Sequence, residues 1–264
     1  MPALNKIQQS FRRSLKTYDE NAFVQLEIAE TLIKVFSGHC IHTRHFPQVL
    51  ELGCGTGFLT KALLNAYSVQ ELYLNDLVEE CEPVLVEQLR SFVGKQLHSW
   101  EFVSGDINKL NINEQYNLVC SSSSLQWVND LPVVLMKIAS CLRSKGWLVL
   151  SSFGSGHFFE LNELNQSLGN KSLNLNYATE TQWNQLLESE FEIKSIESQT
   201  ITVWFDSVEE MLKHLRNTGV NGNARQQWSQ KSFNEFASSY ESKFAKQGRL
   251  PLSYEPIFII AQKN

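Results

Sequence analysis

Nothing in this 264-residue sequence forms an apolar run of the roughly 20 residues that a membrane-spanning helix needs, so no anchor of that kind is expected. The opening MPALNKIQQSFRRSL has neither an unbroken apolar core nor a small-residue cleavage site. No secretory signal is read there, and the cytoplasm is the expected location. Positive charge is scarce: 23 Lys and Arg stand against 28 Asp and Glu, a formal net charge of −5. Neither nucleic acid nor a membrane is therefore expected as a partner. The five cysteines (Cys40, Cys54, Cys81, Cys120, Cys141) are odd in number and lack any CxxC spacing. Buried free thiols are expected, not a disulfide framework or a zinc site. GK[ST] is absent, which excludes a P-loop. No Ser-His-Asp or Cys-His arrangement, repeat or low-complexity tract stands out.

What is present is an ordinary globular composition, 42% hydrophobic and 19% charged, on a chain long enough for one large domain or one domain with an insertion. The first 36 residues read as helix, with Phe23, Leu26, Ile28, Ala29, Leu32, Ile33 and Phe36 at roughly helical spacing and Gly38 as a stop. GHCIHTRHFP sets His39, His42 and His45 three apart, without an acidic partner at ligand spacing, and reads as a solvated loop. From Pro47 the pattern alternates. QVLEL, ELYLND, WEFVSGD, YNLVCSSSS and WLVLSSF read as strands; FLTKALLNAY, VEECEPVLVEQLRSFVG and DLPVVLMKIASCLRSKG read as helices. Helical crossovers imply parallel pairing, hence a doubly wound α/β sheet with ligands at the carboxyl ends of its strands. FEIKSIESQTITVWF is β-rich, a basic helical stretch runs from Ser207 to about Gly248, and PIFIIAQKN favours a final strand. The expected organisation is a helical cover over 1–46, a core over 47–205, a helical lid insertion over 206–250 and the last core strand in 251–264.

The glycine loop VLELGCGTGFLT lies between a strand and a helix. Glycines let backbone N–H groups approach a ligand closely, which a dinucleotide site would also exploit. The dinucleotide fingerprint wants a last glycine where Phe58 stands. Glu51, two residues before Gly53, would repel a pyrophosphate but suits a cationic ligand with hydrogen-bond donors, so it is assigned to the site and not to the core. S-adenosylmethionine has that chemistry: a sulfonium, an ammonium, ribose hydroxyls and no phosphate.

The segment resembles motif I of the class I S-adenosylmethionine-dependent methyltransferases, a hydrophobic strand ending in an acid and then GxGxG. The resemblance implies a Rossmann-like, mostly parallel seven-stranded sheet with an antiparallel last strand, and S-adenosylmethionine as cofactor. It implies that Gly53, Gly55 and Gly57 form the cradle. It sets Asp76, followed by Leu77, on the ribose hydroxyls, and Asp106 and Ile107 on the adenine amino group and ring. Ser121 and Ser122 fall near the methionine portion. Taken singly, Asp76 reads equally as an N-cap and Asp106 as a strand terminator; the case is that four features arrive in order, each at the carboxyl end of an expected strand. FRRSLKTYDENAFVQ resembles the element preceding the core in a subset of these enzymes, which covers the methionine end. Tyr18 and Gln25, seven apart, then share a helix face, with Tyr18 near the reaction centre; a plain amphipathic helix accounts for the same spacing.

Over nearly the whole chain, SSSSLQWVND, ITVWFDSVEEMLKHLRNTGV and GRLPLSYEPIFIIA resemble the malonyl-acyl-carrier-protein O-methyltransferases of biotin synthesis. NGNARQQW and the loop from Gly154 to Asn176 depart from that family. The resemblance implies methyl transfer to the free carboxylate of a malonyl thioester on acyl carrier protein. A carboxylate is a nucleophile at neutral pH and needs no general base. An arginine fork would orient it, Arg249 first, with Arg216 and Arg225 behind, and Tyr18 would donate a hydrogen bond. From Met211 to Leu250 seven Lys and Arg face two acids, 7 − 2 = +5. Either acyl carrier protein docks there, on Lys213, Arg216, Lys243 and Lys246, or the charges are a solvated helix face. The alternatives are a methyltransferase of a small free acid or acyl-CoA, a non-catalytic module binding S-adenosylmethionine, and a nicotinamide oxidoreductase, which Glu51 and Phe58 disfavour.

Overall fold

A computed structural model describes residues 4–112, 115–167, 177–219 and 229–264. In chain order the elements are α1 (Leu4–Asn21), α2 (Phe23–His39), β1 (His45–Leu52), α3 (Phe58–Ala66), β2 (Ser68–Asp76), α4 (Cys81–Leu89), β3 (Leu97–Ser104) and β4 (Tyr116–Ser122). There follow α5 (Leu131–Cys141), β5 (Leu142–Phe153), α6 (Phe159–Ser167), α7 (Glu180–Leu187), β6 (Phe191–Ser198) and β7 (Ile201–Phe205). The described chain closes with α8 (Val208–Asn217), α9 (Gln230–Phe244), β8 (Leu250–Tyr254) and β9 (Pro256–Lys263). Two compact units result: Phe23–Ser152 with Ala178–Ser198 and Ile257–Asn264, and Met1–Ala22 with Phe153–Tyr177 and Gln199–Pro256.

The first unit is the doubly wound sheet expected from the alternating pattern. Its strand order is β3-β2-β1-β4-β5-β9-β6. β1 pairs in parallel with β2 and β4, β2 with β3, and β4 with β5, while β9 runs antiparallel to β6. The central strands are apolar on both faces because helices cover both, and the last four residues of β1 are all buried. Leu50, Leu52, Val119, Val134, Ile138, Leu148 and Trp183 share one core cluster. Each such aliphatic side chain contributes about 1.5–3 kcal/mol on burial. Local chemistry starts the helices: Asp130 accepts from Val133 N ahead of α5, and Thr179 and Gln182 form a capping box on α7. All five cysteines are buried free thiols.

The second unit joins α1, α6, α8 and α9 to a two-stranded antiparallel sheet in which Ile201 faces Tyr254 and Phe205 faces Leu250. Polar contacts across large sequence separations hold it. Ser10 Oγ donates to Gly219 O at 3.0 Å, and Tyr240 O–H to Pro251 O at 2.6 Å. The buried Glu160 carboxylate accepts from Ser253 N at 3.0 Å and Ser253 Oγ at 2.6 Å.

Four sequence expectations meet a different structure. The N-terminal helix is interrupted at Ala22. There Asn21 turns its side-chain amide back onto Thr17 O at 2.7 Å and accepts from Asn217 Nδ2 at 3.1 Å, closing α1. The cover over 1–46 therefore divides, α1 in one unit and α2 in the other. The β-rich stretch 191–205 splits at Gln199 between the two sheets, and residues 250–254 leave the core to pair with β7. The helix expected through Gly146 ends at Cys141, where β5 begins, with Leu142 already paired to Tyr116.

Candidate functional site

The glycine loop leaves β1 between the ends of β2 and β4, and β2 pins it. Gly53 N and Cys54 N donate to Asn75 O at 2.7 and 3.0 Å, and Gly55 N donates to Asp76 Oδ2 at 2.8 Å. Asp76 Oδ1 also accepts from Val78 N at 2.8 Å. Both carboxylate oxygens keep further lone pairs, enough for a vicinal diol. The Asn75 amide continues the tie outward, donating to Val103 O at 2.9 Å and Gly105 O at 3.1 Å. Both Gly53 (φ +70°) and Gly55 (φ +52°) are left-handed, a conformation that costs other residues about 1–2 kcal/mol. A Cβ at Gly53 would stand 2.1 Å from Ser124 Oγ, whereas at Gly55 it would meet nothing within 4 Å. Gly57 ends the loop as the N-cap of α3.

Glu51 lies beneath this loop, 1% exposed, with its Oε2 accepting from Thr60 Oγ1 at 2.7 Å. Burial pushes its carboxyl up to about 8; Thr60 opposes the shift and the nearby Asp76 adds to it. Burial also raises Asp76, against the backbone N–H groups that favour its ionised form. Glu51 therefore lies within the core and is tied to α3, a correction only to the expectation that it stands outside the core.

At the end of β3, Asp106 Oδ1 accepts from Asn108 N at 2.9 Å and Asn108 Nδ2 at 2.7 Å, a local turn. Ile107 packs against the core cluster, and Leu77, partly exposed, follows Asp76. Ser121 is fully buried with Oγ donating to Leu52 O at 2.7 Å, and Ser122 Oγ shares a hydrogen bond with Ser151 Oγ at 2.9 Å. Both hydroxyls knit strand ends together. Sequence reasoning passed over the next residues of the same run. Ser123 sits at φ +53° with a buried Oγ that has no partner among the described residues, and Gln126 Oε1 is buried and equally unpartnered. The run of four serines after a strand was the available signal.

The break at Ala22 sets Tyr18 on α1 and Gln25 on α2, so they share no continuous helix face. Gln25 belongs to the sheet unit, is buried, and its Oε1 has no partner among the described residues. Tyr18 belongs to the other unit. Arg249 is engaged elsewhere than expected: its Nε bonds Asp206 Oδ1 at 3.2 Å and its Nη2 donates to Trp204 O at 2.8 Å, tying one end of the two-stranded sheet. Arg216 is exposed on α8, and Arg225 lies outside the described residues. The basic surplus also shrinks once whole helices are counted. α8 carries Lys213 and Arg216 against Glu209 and Glu210, and α9 carries Lys231 and Lys243 against Glu235 and Glu241, so each sums to 2 − 2 = 0. Lys243 pairs with Glu163 at 3.0 Å, while Lys213 and Lys246 stand exposed.

A left-handed cradle with open space at Gly55, an acid clamping it, and an unpartnered buried acceptor at Gln25 fit a ligand with a ribose diol and cationic donors. Strand order and cradle together define the fold of the class I methyltransferases. The model of the methyltransferase domain family matches residues 18–196, and the chain belongs to that family as an S-adenosylmethionine-dependent methyltransferase. Within it the chain belongs with the malonyl-[acyl-carrier protein] O-methyltransferases. It is 35% identical to the protein of that name from Acinetobacter baylyi over 99% of this chain and 98% of the relative, and 32% identical to that from Chlorobium luteolum over 98% and 95%. Among solved structures, the N-methyltransferase NodS from Bradyrhizobium japonicum in complex with S-adenosyl-L-homocysteine shares the fold at a TM-score of 0.59 and 12% identity, covering 98% of each chain.

Proposed function

We propose that this chain transfers a methyl group from S-adenosylmethionine to the free carboxylate of a malonyl thioester on acyl carrier protein, giving the methyl ester primer for biotin synthesis. The observation that carries the reading is similarity to enzymes of that name over both units, at 35% identity across 99% of the chain. When bound, the cofactor supplies an electrophilic methyl group on a positively charged sulfur. The chain's part is to hold and orient. Gly53, Gly55 and Gly57 leave room for the ligand, Asp76 accepts from the ribose hydroxyls beside Leu77, and Asp106 and Ile107 take the adenine edge and ring. Gln25 and Tyr18 serve the methionine end, with the Ser121–Ser122 turn as its floor. Glu51 acts through the loop and ionises as the cationic ligand arrives.

The acceptor carboxylate would take the methyl group that the cofactor supplies without a general base, so no residue of this chain need move a proton. Catalysis then rests on holding the pair in line and excluding water while two opposite charges cancel. Acyl carrier protein docks on the exposed Lys213, Arg216 and Lys246, with Lys243 released from Glu163 on contact. The cytoplasm is the compartment this reading implies. Incubating malonyl-carrier protein with the enzyme and S-adenosylmethionine should add one methyl to the malonyl group, read by mass spectrometry. Methylation of free malonate or malonyl-CoA in preference to the carrier-bound group removes the protein partner from the reading.

A further inference from the structure

The unit holding α1, α6, α8 and α9 contains a cage of aromatic side chains with His157 at its centre, wholly buried. The imidazole is stacked between Phe153 and Phe158, with centroids 3.9 and 3.8 Å away and interplanar angles of 22° and 30°. Tyr254 stands 5.3 Å from it, and Tyr177 stands edge-on at 5.1 Å and 89°. The backbone N–H of Glu255 donates to Nδ1 at 3.4 Å, which makes that nitrogen the acceptor and puts the ring proton on Nε2. Nε2 is buried and has no hydrogen-bond partner among the described residues. A buried N–H without an acceptor is costly, and phenylalanine would fill the same stack without that cost.

The surroundings share one character. Tyr254 O–H and His214 Nε2 share a hydrogen bond of 2.7 Å, and Tyr18 and Tyr177 lie near enough to act electrostatically on Tyr254. Burial favours the neutral forms of four of these groups: it lowers His157 well below the usual imidazole value, brings His214 to about 4, and raises Tyr177 and Tyr254. The cage therefore offers uncharged donors.

We propose that His157 Nε2–H binds one carboxylate oxygen of the malonyl group; this rests on the carboxyl methylation proposed above. The acceptor loses its charge as the ester forms. A guanidinium would favour the ionised starting acid and be left unpaired in the product, whereas a neutral N–H bonds the ester carbonyl as well. Arg249, the fork expected for this task, is occupied by Asp206 and Trp204.

His157→Phe keeps the stack and removes the donor. Its KM for malonyl-carrier protein should rise about 10- to 100-fold, with the dissociation constant for S-adenosylmethionine unchanged and the melting temperature equal or higher. His157→Gln, which restores an N–H, should recover part of that loss. A structural role alone predicts the opposite ranking, Phe better than Gln, and an unchanged KM in H157F overturns the proposal. The donor can also be watched directly. In protein carrying ¹⁵N-histidine, with S-adenosylhomocysteine present, the His157 Nε2 resonance should shift on adding a malonyl thioester and stay still with the acetyl analogue. No shift, or a shift with both, overturns the carboxylate assignment. A malonyl-specific shift without turnover by the wild type removes the proposed reaction and leaves this binding role standing.

Discussion

The two units are built from the same chain by different means. In the sheet unit, consecutive strands and helices follow one another from Phe23 to Ser152, and each loop of the cradle is fixed by its neighbouring strand. Both units are gathered from three pieces, but the other one lacks such a run of alternating strands and helices, and its contacts join distant residues: Ser10 with Gly219, Asn21 with Asn217, Glu160 with Ser253. Where structure is local, a short motif carries its own geometry; where it is assembled at long range, the meaning of a residue depends on partners a motif does not contain. In the functions proposed above, the glycine cradle belongs to the sheet unit and the docking lysines and His157 belong to the other.

Substitutions should separate along the same line. The largest effect is expected at Gly53, where a valine would drive its Cβ into Ser124 and strain a left-handed backbone. S-adenosylmethionine binding by calorimetry should weaken at least about 100-fold, roughly 2.7 kcal/mol. Retained binding in a folded G53V protein would break the assignment of the cradle. Next comes Glu51, whose carboxyl is raised from 4.5 to about 8 in the fold. Below 4.5 both states are protonated; between 4.5 and 8 the unfolded chain ionises first, so this group costs stability as pH rises, and the cost levels off above 8. Glu51→Gln should therefore melt above the wild type by a margin that widens from pH 5 to pH 8, on the order of a few kcal/mol. If proton release accompanies ligand binding, the wild-type calorimetric heat should depend on buffer near neutrality and that of E51Q should not.

Asp76→Ala frees Gly55 N and Val78 N and should weaken the cofactor about 10- to 100-fold while sparing the acceptor KM. Reversing Lys213 and Lys246 to Glu should do the converse, raising KM for the carrier-borne substrate about 3- to 10-fold with cofactor affinity untouched. The smallest effect is expected from Arg249→Ala, since its pair with Asp206 is largely exposed. Stability should fall by less than about 1 kcal/mol, and kcat/KM should stay within about threefold. A collapse of kcat/KM in R249A would restore that residue as the acceptor's fork and displace His157.

The parallel pairing of the alternating strands was legible because each strand is followed by its own loop and helix. Tyr18 and Gln25 were misjoined because helical spacing reports periodicity, while the break at Ala22 comes from Asn21 meeting Asn217 across the fold. β8 escaped notice because PLSY reads as a lead-in to PIFIIA until β7 is seen beside it. The burial of Glu51 was not legible because its partner, Thr60, lies in the first turn of α3, outside the apolar run that made the acid look exposed. His157 had no legible signal at all: GSGHFF carries no spacing, and only Glu255 and the surrounding rings give the imidazole its orientation.

The five sheltered sulfhydryls lie in the sheet unit, and burial holds Cys40, Cys54, Cys120 and Cys141 in the thiol form, Cys141 up to about 12. At these four positions an alkylating reagent therefore finds no thiolate in the native protein. Each label taken up there marks a molecule whose sheet has opened, so counting labels against time clocks its unfolding without an introduced probe.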